Sequence, residues 1–190
     1  MKDHPNAFVR VELHAHTHAS KDSLVRPERL IQHCEKIGMD KIAITDHNEI
    51  QGAFEAKEFA PDRVIVGEEI ETNQGELIGY FMHDWVPPGL APMAAIERLR
   101  AQGAVISVAH PFDTVRSKHW TEEDLLAIVP HIDAIEVFNA RCLRNLPNQQ
   151  AADFAKGHSL LATVGSDAHS LFEVGMASLL LPPFDDAAGF

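Results

Sequence analysis

The sequence predicts an α/β fold built on a parallel sheet. Strand-like and helix-like segments alternate almost to the end of the 190 residues, and no repeat, low-complexity tract or linker interrupts them. Nearly every strand-like run also stops at a histidine, aspartate or glutamate. With 45% hydrophobic residues at this length, one domain spanning 1–190 covers a sizeable core.

The first strand is the alternating run Phe8, Val9, Arg10, Val11, and it leads into Glu12-Leu13-His14-Ala15-His16-Thr17-His18. Residues two apart on an extended backbone share a side, so His14 and His16 emerge together and can bind one ion. Pro27 then opens a helix whose buried face is Leu30, Ile31, Cys34 and Ile37, and Gly38 closes it. A strand over 41–45 ends at Asp46-His47, a short helix over 50–59 follows, and a strand over 63–66 is succeeded directly by Gly67-Glu68-Glu69. Gly75 makes a turn before a strand over 77–82, expected as a hairpin extension of its neighbour.

An amphipathic helix over 92–102, with Met93, Ile96 and Leu99 at helical spacing, ends at Gly103. A buried strand over 104–109 is closed by His110-Pro111, and Thr121-Glu122-Glu123-Asp124 caps a helix carrying Leu125, Leu126, Ile128 and Val129. The strand over 133–138 carries Glu136 and leads to Asn139-Ala140-Arg141. A helix over 149–156 is expected to stop at Gly157, and the strand over 160–164 delivers Gly165-Ser166-Asp167-Ala168-His169. Residues 179–190 offer no final helix, so a partner subunit is a candidate cover for that edge.

Charge limits the function. Against 16 Lys and Arg stand 28 Asp and Glu, a formal net of -12, which opposes sequence-independent attraction to duplex nucleic acid. Part of that negative charge would be neutralised if the carboxylates hold divalent cations. No apolar run is long enough to cross a bilayer, and residues 1–7 lack the apolar core of a secretory signal, so the cytoplasm is the expected location. Cys34 and Cys142 are far apart and read as reduced packing residues.

Set side by side, the strand ends carry His14 and His16, Asp46 and His47, Glu69, His110, Glu136, and Asp167 with His169. In barrel-like parallel α/β folds the strand C-termini converge on one face, where catalytic groups collect. Any one of these residues could be a satisfied core histidine or a turn residue, but turn chemistry has no reason to repeat at each strand end. Imidazole plus carboxylate without thiolate suits zinc, manganese or iron. Eight or so candidate ligands exceed what one catalytic ion takes, so several ions are expected.

These motifs resemble the PHP family, the polymerase and histidinol phosphatase group. The resemblance rests on His14-Ala15-His16-Thr17, Thr45-Asp46-His47, Gly67-Glu68-Glu69, Ala109-His110-Pro111 and Gly165-Ser166-Asp167-Ala168-His169, in the family's order across nearly the whole chain. It implies a distorted (β/α)7 TIM-like barrel with two or three divalent metal ions at the strand C-termini, used mostly to hydrolyse phosphoesters. It further implies that His14, His16, Glu69 and Asp167 hold one ion, that Glu69 is shared with a second ion also taking His110, and that Asp22, His47 and His169 hold a third. One departure stands out: where the family often has a histidine for the second ion, this chain has Glu76 in Gly75-Glu76-Leu77-Ile78-Gly79, with His83 the alternative.

Such a centre would generate a nucleophile from water, with Glu69 bridging ions and Asp46 either orienting a neighbouring ligand or serving only as a turn residue. Arg141, then Arg116, are the expected phosphate-binding cations. Glu136 either faces the pocket or supports Arg141, and His18 is expected to buttress a ligand rather than bind an ion. His4, His33, His119, His131 and His158 read as structural or solvent-exposed. The expected function is metal-dependent hydrolysis of a small phosphorylated substrate. The alternatives are a non-catalytic metal-binding module of the kind attached to DNA polymerases and a metal-dependent amide or carbonyl hydrolase; the absence of a polymerase-sized extension favours the enzyme. The motifs do not specify the substrate or the oligomeric state.

Overall fold

The structure, a computed structural model, describes residues 8–116 and 118–190. His4 and the rest of residues 1–7 lie outside the described residues.

β1 (Val9–Ala15), α1 (Pro27–Ile37), β2 (Lys41–Ile44), α2 (Gln51–Phe59) and β3 (Val64–Glu71) form two successive parallel crossovers. α1 ends as its sequence requires: Gly38 takes φ 68°, a left-handed conformation that costs glycine little, and its N–H reaches back to Cys34 and Glu35 carbonyls. β3 then runs past residue 66, because β4 (Glu76–Tyr80) turns back antiparallel and pairs Gly67 to Glu71 with Tyr80 to Glu76. Glu69 therefore sits within a strand rather than in the loop after one. β4 is also no extension at the margin, since its other edge pairs with β5 (Val105–Val108).

After α3 (Pro92–Ala101) and β5 come α4 (Glu122–Ile128), a 3-10 turn at Val129–His131, β6 (Ala134–Asn139), α5 (Asn145–His158) and β7 (Leu161–Gly165). Thr121 caps α4, its hydroxyl accepting the Asp124 N–H at 3.1 Å. α5 begins four residues before the expected start, with Pro147 in the first turn where no intrahelical N–H is required, and it passes through Gly157 before Ser159 ends it at φ 57°.

The hydrogen-bonded order is β7-β6-β5-β4-β3-β2-β1-β8, with β8 (Leu179–Leu181) antiparallel to the start of β1. At the other end of β1 the sheet closes on itself through the Ala15–Ala168 bridge, where the His16 N–H donates to the Ala168 carbonyl at 2.8 Å. The expected distorted α/β barrel is thus formed nearly closed, with β4 reversed between β3 and β5 and β8 reversed beside β1. No described helix is long and apolar enough to cross a membrane.

Two apolar cores hold this shape. One lies between helices and sheet and includes Leu30, Ile42, Ile70, Leu99 and Ile106. The other fills the lower barrel with Val11, Leu13, Ala43, Ile65, Ile78 and Tyr80, and Phe184 closes it. Phe184, Phe190 and β8 pack against the lower core at the edge where residues 179–190 end the chain.

Candidate metal centre

Strict alternation along β1 would put Val11 and Leu13 on one side and His14 on the other. The pairing register slips between Glu12 and Ala15, where three residues on β1 span two on β2. That bulge switches the side-chain parity, so Val11 and Leu13 fill the lower barrel while His14 and His16 enter its upper mouth. Glu12, buried beside them, accepts N–H donors from His14 (3.1 Å), Ser166 (2.9 Å) and Gly175 (3.0 Å) and the Ser166 hydroxyl. Burial pushes its carboxyl above the ordinary value despite these donors. The bulge, β7 and the segment after it are thereby tied together.

The mouth gathers side chains from both ends of the sequence. His14 Nε2 lies 3.2 Å from Glu69 Oε2 and 3.7 Å from Asp167 Oδ1; His16 Nε2 lies 3.4 Å and 3.2 Å from the same two atoms. All four atoms are buried, yet none has a hydrogen-bond partner. Close approach without hydrogen-bond geometry, in groups that should not be buried unsatisfied, is the arrangement of lone pairs aimed at a common cation. The spacing fits as well, since tetrahedral bonds of about 2.0–2.1 Å place neighbouring ligand atoms roughly 3.3–3.4 Å apart.

Around this group lie the other expected ligands. Glu69 Oε1 accepts from His110 Nε2 at 2.8 Å, and Glu76 Oε2 is 3.5 Å from the same nitrogen. His47 Nδ1 approaches Glu69 Oε2 at 3.0 Å, while Asp22 Oδ2 sits 3.5 Å from His47 and 3.0 Å from His169. His16 stacks between His47 and His169, with centroids 4.4 and 4.2 Å apart. Several three-residue sets have ligand atoms within 4.8 Å of one another, including His14-His16-Glu69 and His47-Glu69-Glu76. These clusters could hold metal.

The reversal of β4 sets Glu76 and His83 at opposite ends of that strand. Glu76 begins that strand at the mouth, whereas His83 lies beyond its other end, beside Met82 and Phe184. His18 also departs from expectation: it is half exposed and faces Glu55 at 3.9 Å, away from the ligands. Among the described residues, His119 and His158 also stand apart, the first on the Arg116 carbonyl and the second stacked on Phe154.

Electrostatics divides the imidazoles. Burial brings His16 down to about 4 and keeps it neutral, the form that binds metal. Burial opposes charging His47 too, but the Glu69 carboxylate raises it to about 9. For Glu69 and Asp167, burial is outweighed by facing histidines, and both lie well below the ordinary carboxylate range. Glu76, pushed by burial and by Glu69, rises to about 7.

A ring of supporting groups fixes the ligands. Glu136 faces the site, not Arg141: its oxygens take His14 Nδ1 at 2.9 Å, the His110 N–H at 2.9 Å and Asn139 Nδ2 at 3.0 Å. Asp46 accepts from Thr17 N (2.6 Å), Thr17 Oγ1 (2.6 Å) and Ser20 Oγ (2.8 Å), and Ser20 Oγ lies 3.2 Å from His16 Nδ1. Carboxylates behind metal-binding histidines fix ring orientation in this way. Glu12, Asn139 and Ser20 were missed from sequence; Asn and Ser are not distinctive, and Glu12 follows the run read as the first strand. Backbone strain concentrates here as well, with φ 26° at His110 and 54° at Asp167.

Both arginines reach the rim. Arg116 pairs with Asp167 Oδ2 and with Asp113 at 3.2 Å, and Arg141 Nη1 lies 3.5 Å from the Asp167 carbonyl.

Residues 12–124 match the PHP domain, and residues 145–189 match a segment described as PHP-associated. The uncharacterized protein MJ0417 of Methanocaldococcus jannaschii is 37% identical over 172 residues, covering 89% of this chain and 69% of that one. Among solved structures, a two-domain Bacteroides vulgatus protein containing a predicted PHP-like metal-dependent phosphoesterase superposes with TM-score 0.73 at 21% identity, covering 88% of this chain and 54% of the other. The lesion-specific endonuclease PfuEndoQ of Pyrococcus furiosus superposes with TM-score 0.61 at 18% identity, covering 86% and 49%.

Proposed function

The chain belongs to the PHP domain family, and from that premise we propose that it is a metal-dependent phosphoesterase acting on a small phosphorylated substrate. The observation that carries this reading is the convergence of four orphaned, buried ligand atoms from His14, His16, Glu69 and Asp167. These residues would hold one divalent ion; Glu69, His110 and Glu76 a second; and Asp22, His47 and His169 a third, drawn from zinc, manganese and iron. Bound there, the ions supply Lewis acidity that activates water near neutral pH and offsets charge on phosphoryl oxygens.

The chain's own groups do the rest. Glu136 holds Nδ1 of His14, so that Nε2 faces the centre, and Asp46 steadies His16 through Ser20. Arg141 and Arg116 orient phosphoryl oxygens with planar cations at the rim. Glu69, within reach of His14, His16, His47 and His110, would be shared between ions and have the central catalytic role, and Asp46 acts as a positioning residue. The PHP-associated segment contributes α5, β7 and β8 to the same barrel, which supports one functional unit over 1–190. Unpaired Cys34 and Cys142 accord with a reducing cytoplasm.

The test is metal analysis of the purified protein with a panel of phosphomonoesters and phosphodiesters, repeated for His14→Ala. Bound metal and turnover in the wild type, both lost in the variant, are expected. Bound metal without turnover would favour the non-catalytic module, and turnover of amides alone the carbonyl hydrolase. A metal-free wild type overturns the reading.

A further inference from the structure

Beside the third ligand group opens a cleft of about 540 Å3 whose wall begins with Asp22 and His169 themselves. Its remaining lining combines exposed apolar side chains with cations. Leu24 and Phe172 are both 93% exposed, an unusual state for large apolar side chains. Arg26 and Arg29 stand on the same wall, both exposed, with Arg29 giving one N–H to Gln32 at 3.2 Å. In a chain of formal charge -12, two cations and two bare apolar groups beside a candidate metal centre form a local reversal of the surface character. The size is that of a site for a small organic ligand.

We propose that this cleft is a specificity subsite for the part of the substrate distal to the scissile phosphoester: a flat or apolar body against Leu24 and Phe172 carrying a second anionic group for Arg26 and Arg29. The proposal rests on the phosphoesterase reading, and it narrows the substrate class to phosphoesters of ring-bearing, doubly anionic small molecules. Phosphorylated short polyols would leave the cleft unused. Arg26, the extended residue just before α1, and Arg29 in its first turn line the same cleft, and their guanidinium forks suit a carboxylate or phosphate.

The test uses metal-loaded protein and three phosphonates that cannot be hydrolysed: methylphosphonate, phenylphosphonate and 4-carboxyphenylphosphonate, titrated calorimetrically. Affinity should rise at each step, with the remote carboxylate adding about five-fold, the amount of one or two exposed ion pairs. Arg26→Ala/Arg29→Ala should erase the carboxylate increment alone, and Phe172→Ala the ring increment alone. Equal affinity for all three ligands, no binding, or increments untouched by these variants would overturn the subsite. Turnover of the matching phosphate esters separates the two ideas: hydrolysis with a flat binding series removes the subsite only, while a graded series without hydrolysis removes the phosphoesterase reading only.

Discussion

Replacing Gly165 with alanine should dismantle the candidate metal centre from behind. A Cβ there would lie 2.2 Å from His14 Cβ, 2.6 Å from Glu136 Oε1 and 3.3 Å from His14 Cγ. Ordinary carbon contacts are about 3.5–4.0 Å, so the neighbours must retreat by roughly 1.5 Å. Neither can do so cheaply, because His14 belongs to β1 and its ring is held by Glu136 at 2.9 Å, while Glu136 also holds the His110 N–H. Overpacking of this kind costs about 1–3 kcal/mol. Metal ligands tolerate only about 0.2 Å of displacement, so affinity should fall further than the ten- to hundredfold typical of lost supporting contacts. Urea unfolding of the metal-stripped variant isolates the packing cost, and metal content after dialysis against buffered free metal reads the ligand displacement. A Gly165→Ala protein with the wild-type urea midpoint and metal complement would refute the argument.

Other perturbations probe the surroundings. Asp46→Ala leaves the Thr17 N–H and the Thr17 and Ser20 hydroxyls without their acceptor, and should cost about 3 kcal/mol in urea unfolding; a loss under about 1 kcal/mol would reject it. Glu68 is buried with the Val86 N–H as the partner of one oxygen and none for the other, and burial pushes its carboxyl up from 4.5 to about 8. The folded protein therefore binds this proton more tightly than the unfolded chain, so the contribution is full below pH 4.5 and is lost as pH rises towards 8. Glu68→Gln should gain about 4 kcal/mol at pH 8 and little at pH 4.5, and equal effects at both would contradict the assignment. Restoring zinc, manganese or iron to the stripped protein should stabilise it by about 2.7 kcal/mol at a hundredfold excess over Kd, seen as a higher Tm; an unchanged Tm with all three would count against the centre.

How far the sequence can be read depends on whether a feature is local. The ordering of strands and helices follows from hydrophobic periodicity, and α1 and α4 follow from Gly38 and Thr121, whose signals lie within a few residues. The residue types at the strand ends identify the ligand chemistry for the same reason: a parallel barrel sends those ends to one face whatever the details. Glu136 could be singled out but not oriented, because two outcomes fitted its place in the strand.

What required the tertiary structure is everything fixed by pairing between distant segments. The bulge that turns His14 inward exists only as a mismatch between β1 and β2. The reversed β4, set between β3 and β5, brings Glu76 to the mouth and takes His83 to the opposite end. Likewise β8 and Phe184 close the barrel through contacts with β1 and the lower core, and the cleft beside Asp22 and His169 joins segments separated by more than a hundred residues. Composition and spacing determine which groups this chain has available for binding a cation; register and strand direction, which no short window of sequence contains, decide which of them meet.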